Sequence, residues 1–237
     1  EVFTTLPMKF NWEVVDKLIF VAEHKRRIFH SRVSDPPLRD TVIRNGIDVD
    51  NFSVPPGKRN TKNLLLLGHI NYRKGLPMLL QFYHELLQRD DEFHLFIRGD
   101  WQDTRYQLAA MTMMKELGIR DEITIITEWI DDLDTWLEDK SDILSFSLEE
   151  SFHCAIGNCM AAGMKPIIHA WTESRAIWPE QFIFRSLDEF LELALSPAYR
   201  PYQYRSLLRR HDLTKATQLA RVEEELIDVI REPILAR

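Results

Sequence analysis

Cysteine is scarce: the 237 residues hold two, Cys154 and Cys159. At that separation they fall on different sides of a helix, poor geometry for a disulfide. No Cys/His spacing resembles a zinc site. Both read as reduced thiols in or near a core, which suits the cytoplasm. No run approaches ~18 apolar residues, so no membrane-spanning helix is expected. The opening stretch, EVFTTLPMKFNW, has neither the basic lead nor the apolar core of a signal peptide. Basic charge is not in excess either. Lys and Arg number 30 against 37 Asp and Glu, a formal charge of −7 with a pI near 5.7. Nucleic-acid binding, which needs a strong basic face, is not expected. There is no internal repeat and no P-loop spacing. The chain lacks an initiating Met and starts in mid-pattern, so we read it as a fragment or one domain of a longer protein.

What is present is ordinary for a globular protein: 45% hydrophobic and 28% charged residues, ample for a large core. Apolar runs alternate with helical patterns. Strands are predicted at 17–23, 41–45, 63–70, 93–99, 122–129, 142–147, 166–171 and 181–186. Helices are predicted at 24–31, 77–88, 104–118, 132–140, 152–163, 187–195, 202–211 and 214–232. Residues 48–62 read as a loop punctuated by Pro55, Pro56 and Gly57. The alternation predicts βαβ units and a Rossmann-like, doubly wound parallel sheet with helices on both faces. Ligands of such sheets bind beyond the carboxyl ends of the strands. That makes 69–76, 99–104 and 147–152 the candidate loops.

The first loop reads LGHINYRKGL. It places Arg73 and Lys74 near a helix N-terminus, where backbone N–H groups and the helix dipole already favour an anion. Two cations there oppose the dipole, and a bound diphosphate removes the conflict. Two solvated side chains are the plainer reading. In the third loop, Ser147-x-x-Glu150 has the form of a capping box. Ser186-x-x-Glu189 repeats it between another strand and helix, with no ligand expected there. On spacing alone, capping is the better reading of Glu150. The helical periodicity, however, begins only after it. A helix starting near Ser151 or Phe152 leaves Glu150 in the loop, free to accept from sugar hydroxyls.

The stretch S-x-x-E-S-F-H…C-M-A-A-G-M-K-P-I-I resembles the signature of retaining glycosyltransferases of family 4. The basic loop resembles that family's Gly-Arg-x-x-x-x-Lys-Gly. VIRNGIDVDNF, residues 42–52, resembles its interdomain Asn-Gly segment. The three motifs stand in family order, and the resemblance covers about residues 14–190. It implies one half of a GT-B fold, with 1–40 as the end of the N-terminal domain and the interdomain connection. Residues 41–237 are then the nucleotide-sugar-binding domain, with C-terminal helices packing back. The implied activity is a retaining, hexosyltransferase-like glycosyltransferase, incomplete in this fragment, acting on a polysaccharide or lipid-linked acceptor. Its place would be cytoplasmic, at the inner face of the membrane, in polysaccharide and cell-envelope biosynthesis.

The resemblance also implies roles by position. Lys74 matches the lysine on the donor diphosphate, with Arg73 as helper, and Glu150 matches the glutamate on the donor sugar. Ser151, Phe152, His153 and Cys154 match a turn whose backbone N–H groups meet sugar and phosphate. Thr127, Glu128, Trp129 and Ile130 match the loop framing the base. His69 stands where the family has Arg and is a candidate for the donor diphosphate beside Lys74 and Arg73; Asn158 stands where it has a ribose-binding Glu and is a candidate for the nucleoside. Implied partners are the nucleotide sugar, the carbohydrate or lipid-linked acceptor and an N-terminal domain of the same protein. No metal or other cofactor is expected. A degenerate, non-catalytic binding module is the alternative, and a sugar-phosphate isomerase or epimerase shares only the anion loop.

Three lesser features have plainer readings. The basic run at 24–27 reads as a solvated helix face, with peripheral contact to anionic lipid as the alternative. MTMM at 111–114 reads as core filler. Packing is the default for Trp101, Trp129 and Trp171, each of which follows a strand.

Overall fold

The computed structural model describes residues 11–33, 39–55, 62–196 and 200–231. Pro56 and Gly57 of the predicted loop, and Glu232 of the last predicted helix, lie outside the described residues. Two short strands, β1 (Leu18–Phe20) and β2 (Asp40–Val42), pair in parallel around helix α1 (Glu23–His30). The remaining strands are β3 (Asn63–Leu67), β4 (His94–Arg98), β5 (Ile123–Ile126), β6 (Asp142–Ser145), β7 (Lys165–His169) and β8 (Ile183–Phe184). They form one parallel sheet in the order β5-β4-β3-β6-β7-β8. The order reverses direction between β3 and β6, which opens a crevice at their carboxyl ends.

The helices between them are α2 (Leu76–Leu87), α3 (Thr104–Glu116), α4 (Leu133–Trp136), α5 (Cys154–Ala161) and α6 (Ser174–Ile177). The chain closes with α7 (Leu187–Leu195), α8 (Pro201–Arg210) and α9 (Lys215–Arg231). Because successive side chains on a strand point to opposite faces, β3 feeds two cores. Leu64 and Leu66 pack with Leu79, Leu80 and Phe190, beneath α2 and α7. Leu65 and Leu67 pack with Ile156, Met160 and Leu208, beneath α5 and α8. Both faces of the sheet are thus covered, which is why β3 and β6 read as near-continuous apolar runs.

Several predicted strands run too long. The 63–70 run stops at Leu67, 122–129 at Ile126 and 17–23 at Phe20. Past Leu67 the Gly68 N–H still donates to the Arg98 carbonyl and the Ile70 N–H to the Asp100 carbonyl, but Gly68, at φ +132°, breaks the regular strand. The surplus residues build the edge loops instead. Met114 is buried, with Met111 and Met113 packed beside it, as core filler should be. Trp171 is buried and Trp101 packs on Tyr106, but Trp129 is 79% exposed and does not fit the packing default. Cys159 is buried; Cys154 is exposed, and both are free thiols.

The basic run on α1 is committed to acids. Lys25 pairs with Glu149, Arg26 with Asp40 at 2.6 Å, and Arg27 with Glu173. His24 is buried with Nδ1 3.2 Å from Glu173. The Glu149 and Glu173 pairs tie α1 to the loops after β6 and β7, and the Asp40 pair ties it to β2, a structural task the solvated-face reading did not foresee. Among the described residues no helix is long and apolar enough to cross a membrane.

Candidate functional site

The loop after β3 is shaped by two glycines. Gly99 has φ +153°, and a Cβ there would sit 1.9 Å from the Gly68 carbonyl oxygen, so the ends of β3 and β4 meet backbone to backbone. Asn71 then organises a tight 3-10 turn, Tyr72–Lys74. Its side-chain oxygen accepts the Arg73 N–H at 3.0 Å, and its amide donates to Gln102 at 2.7 Å. Gly75 follows at φ +64°, pressed so closely on Phe146 that a Cβ would lie 2.0 Å from its carbonyl oxygen. The Leu148 N–H donates to the Arg73 carbonyl at 2.8 Å. The turn carrying Lys74 is thereby fastened to the loop carrying Glu150.

There the two candidate residues meet. Lys74 Nζ lies 2.5 Å from Glu150 Oε1 and 3.3 Å from His153 Nε2, and the Ser147 hydroxyl donates to the same Oε1 at 2.9 Å. The Lys74 and Glu150 side chains are each only 13% exposed. Burial alone would raise the Glu150 pKa. The electrostatic pull of the neighbouring His153 and of the Lys74 charge, with the hydrogen bonds from Lys74 and Ser147, outweighs it, and the pKa falls below the ordinary value. Glu150 is therefore ionised, and its Oε2 has no hydrogen-bond partner among the described residues.

Glu150 lies in the loop, and the capping reading fails. Ser147 is buried, and its hydroxyl serves the Glu150 carboxylate instead of a helix N–H. At the matching pair, Ser186 does cap α7: its side chain accepts the Glu189 N–H at 3.3 Å, and Glu189 accepts the Arg185 N–H at 2.5 Å. The helix start needs correction. It falls at Cys154 and not at Ser151 or Phe152, because His153 takes the left-handed conformation, φ 69° and ψ 67°, and turns the chain first. Among the described residues the N–H groups of Ser151, Phe152 and His153 donate to no protein acceptor. Phe152 itself is buried, its ring 5.4 Å from Trp178, and anchors the turn.

His153 is 6% exposed. Its pKa is pushed down to about 4, first by burial and then by Lys74, against the opposing pull of Glu150. In an unfolded chain the value lies near 6.5. As pH falls between those values, the unfolded chain takes up a proton that the folded chain refuses. Stability present above pH 6.5 is lost on the way down to about pH 4, by roughly 3 kcal/mol. Urea denaturation at pH 7 and pH 4.5 should show that decline, and His153→Asn should remove this part of it.

The other sequence candidates gather less tightly. His69 is exposed, 4.0 Å from the equally exposed Asp100, and does not join Lys74. Arg73 is half-buried beside Lys74. Cys154 Sγ accepts from the Asn45 amide at 3.7 Å, and burial raises its pKa. Asn158 is half-buried on α5, and its side chain makes no hydrogen bond among the described residues. Thr127, Glu128 and Trp129 are exposed after β5, with Ile130 half-buried. Sequence reasoning missed Arg98. Its guanidinium lies 5.3 Å from the centre of the Trp129 ring and donates to the Glu128 carbonyl at 3.2 Å. A cation closing an apolar strand just before a glycine was the available signal. Among the described residues, no three His, Cys, Asp or Glu side chains could together hold a metal ion.

Residues 61–181 match the family model described as Glycosyl transferases group 1. The chain is 26% identical over 156 residues to the GDP-mannose:cellobiosyl-diphosphopolyprenol alpha-mannosyltransferase of Xanthomonas campestris, covering 64% of this chain and 40% of that protein. A glycosyltransferase structure from Rickettsia africae superposes with a TM-score of 0.75 at 16% identity, over 92% of this chain and 64% of that one. The pneumococcal O-GlcNAc transferase GtfA, solved with UDP and GlcNAc, gives 0.71 at 14%, over 92% and 46%. The chain thus spans only part of the length of each of these proteins.

Proposed function

The chain belongs to the glycosyl transferases group 1 family, and we propose that it binds a nucleotide-diphosphate sugar and transfers the sugar, with retention, to a polysaccharide or lipid-linked acceptor. The carrying observation is the Lys74–Glu150 pair, 2.5 Å apart at the crevice between β3 and β6. It joins a fixed cation to a carboxylate whose second oxygen is open. Lys74 meets the donor diphosphate, Arg73 assists, and Glu150 Oε2 accepts from the sugar hydroxyls. In the transfer, the bond from the anomeric carbon to the diphosphate oxygen breaks while an acceptor hydroxyl oxygen bonds on the same face and its proton passes to the departing diphosphate. The departing diphosphate gathers negative charge, which Lys74, Arg73 and the N–H groups of Ser151 to His153 stabilise. No divalent metal is required in this scheme. The exposed Trp129 ring, braced by Arg98, offers a stacking face for the base, within the loop of Thr127 to Ile130.

Residues 1–40 are assigned to the end of an N-terminal domain that brings the acceptor, and Lys25–Glu149 couples it to the donor loop. The Xanthomonas relative is named for GDP-mannose and a diphosphopolyprenol acceptor. That makes GDP the first nucleotide to try and favours a lipid-linked acceptor. Calorimetry in EDTA with GDP, UDP, ADP and their sugar conjugates tests the reading, and the absence of heat with all of them overturns it. Trp129→Ala is expected to weaken nucleoside diphosphates by about 1–3 kcal/mol, the worth of one stacked base, and to leave inorganic pyrophosphate unaffected.

A second reading rests on Asn158. An amide offers one acceptor oxygen where a carboxylate would take both ribose hydroxyls. A domain kept for binding alone would show nucleotide affinity but no sugar transfer by the whole protein. Transfer that is lost in Glu150→Ala excludes it.

A further inference from the structure

We propose that the His153 imidazole is itself a ligand group, donating from Nδ1 to an anionic oxygen of the donor diphosphate while its Nε2 holds Lys74 in place. This rests on the nucleotide-sugar reading above and adds to it a side chain whose backbone alone was implicated.

The tautomer follows from elementary chemistry. Lys74 Nζ stands 3.3 Å from His153 Nε2. An ammonium group can only donate, so Nε2 must accept, and the ring proton must sit on Nδ1. The ring is then neutral, in keeping with its depressed pKa. Nδ1 is buried and has no hydrogen-bond partner among the described residues. A buried donor without an acceptor costs free energy. The same residue holds a left-handed backbone, φ 69°, which also costs free energy for any side chain bearing a Cβ. A glycine at 153 would carry neither cost. Two penalties on one residue, beside the candidate lysine, indicate a use for the imidazole.

The kind of partner follows from what surrounds the ring. Lys74 faces it from the turn after β3 and Glu150 from the loop after β6. The charges of Lys74 and Glu150 cancel. Lys74 has three N–H bonds, of which Glu150 and His153 take two. The open positions are therefore mostly donors: the third ammonium N–H, His153 Nδ1–H and the backbone N–H groups of Ser151 to His153, beside one open acceptor, Glu150 Oε2, already assigned to the sugar hydroxyls. Several donors gathered around Lys74 and His153 call for an oxygen-rich anion, and a diphosphate supplies adjacent anionic oxygens for the two together.

The test uses the full chain with His153→Gly and His153→Asn. Both residues accept a left-handed backbone, so the turn is kept while the imidazole is lost. Circular dichroism should show an unchanged fold. Calorimetry in EDTA should show GDP or UDP affinity reduced about tenfold or more, as for the loss of a hydrogen bond to a charged group. Nitrogen-15 correlation spectra of the wild type should show one neutral histidine protonated at Nδ1 from pH 5 to 8, absent from His153→Asn, whose ring proton shifts when the nucleotide is added. If the wild type binds no nucleoside diphosphate, the functional reading itself fails. If the wild type binds and both variants bind equally well, this inference fails while that reading stands. An Nε2-protonated ring also overturns it. A loss confined to the sugar conjugates moves the acceptor to the sugar and overturns the diphosphate assignment.

Discussion

Lys74→Ala is expected to lower affinity for nucleoside diphosphates by at least about a hundredfold and to destabilise the fold at the same time. The two effects have separate origins. A hydrogen-bonded cation on a diphosphate, in a site this sheltered, is worth about 1.5–3 kcal/mol for each bond it makes to charge. Its removal also strips Glu150 of its counter-charge. The carboxylate, 13% exposed, would keep only the Ser147 hydroxyl, and breaking a buried pair from one side costs about 3–5 kcal/mol in a fully buried case. Partial exposure argues for the lower end. The double variant Lys74→Ala/Glu150→Gln separates the effects: it should recover stability in urea denaturation but not nucleotide affinity in calorimetry. Lys74→Arg keeps the charge but replaces a compact ammonium with a planar fork, and is expected to bind nucleotide weakly in a stable fold. Affinity in Lys74→Ala within threefold of the wild type would remove Lys74 from the site.

The alternation of apolar runs with helical patterns revealed β3 to β7 and the helices between them, because burial on both faces leaves continuous apolar strands. Where Glu150 goes was less legible. Ser147-x-x-Glu150 and Ser186-x-x-Glu189 have the same spacing and opposite outcomes. Ser186 stands in an extended conformation directly before α7 and caps it. Ser147 is still buried just past β6, and the chain travels on to Cys154 before α5 begins. Contacts far along the chain decide the difference: the Arg73 carbonyl takes the Leu148 N–H, and Lys74 takes the Glu150 carboxylate. No local pattern encodes them, and only the ordered set of three motifs pointed that way. The left-handed turn at His153 was illegible too: histidine is enriched among the few non-glycine residues at positive φ, but it adopts that conformation too seldom for the residue type to announce a turn. The bracing of Trp129 by Arg98 depends on β4 and β5 lying side by side, which residue types alone do not reveal.

Gly99→Ala is expected to destabilise the protein by several kcal/mol and to impair nucleotide binding, whereas Gly118→Ala should cost only about 1–2 kcal/mol. Both glycines have positive φ, +153° and +68°, so the backbone penalty alone does not separate them. Space does. A Cβ at 118 meets nothing within 4 Å, so the cost there is the left-handed penalty for an L-residue. A Cβ at 99 would lie 1.9 Å from the Gly68 oxygen and 2.6 Å from its carbonyl carbon. Backbone atoms in the middle of a parallel sheet cannot swing aside as a flexible side chain can. The ends of β3 and β4 must separate, adding an overpacking cost of about 1–3 kcal/mol to the strain. The separation also breaks the local ladder, in which Gly68 donates to Arg98 and Ile70 to Asp100. Those residues lead directly into the turn that aims Lys74 and into the Arg98–Trp129 stack. Urea midpoints for the two variants, read beside GDP or UDP calorimetry, check both parts. A Gly99→Ala protein as stable as Gly118→Ala would mean that β3 and β4 do not approach this closely at their carboxyl ends.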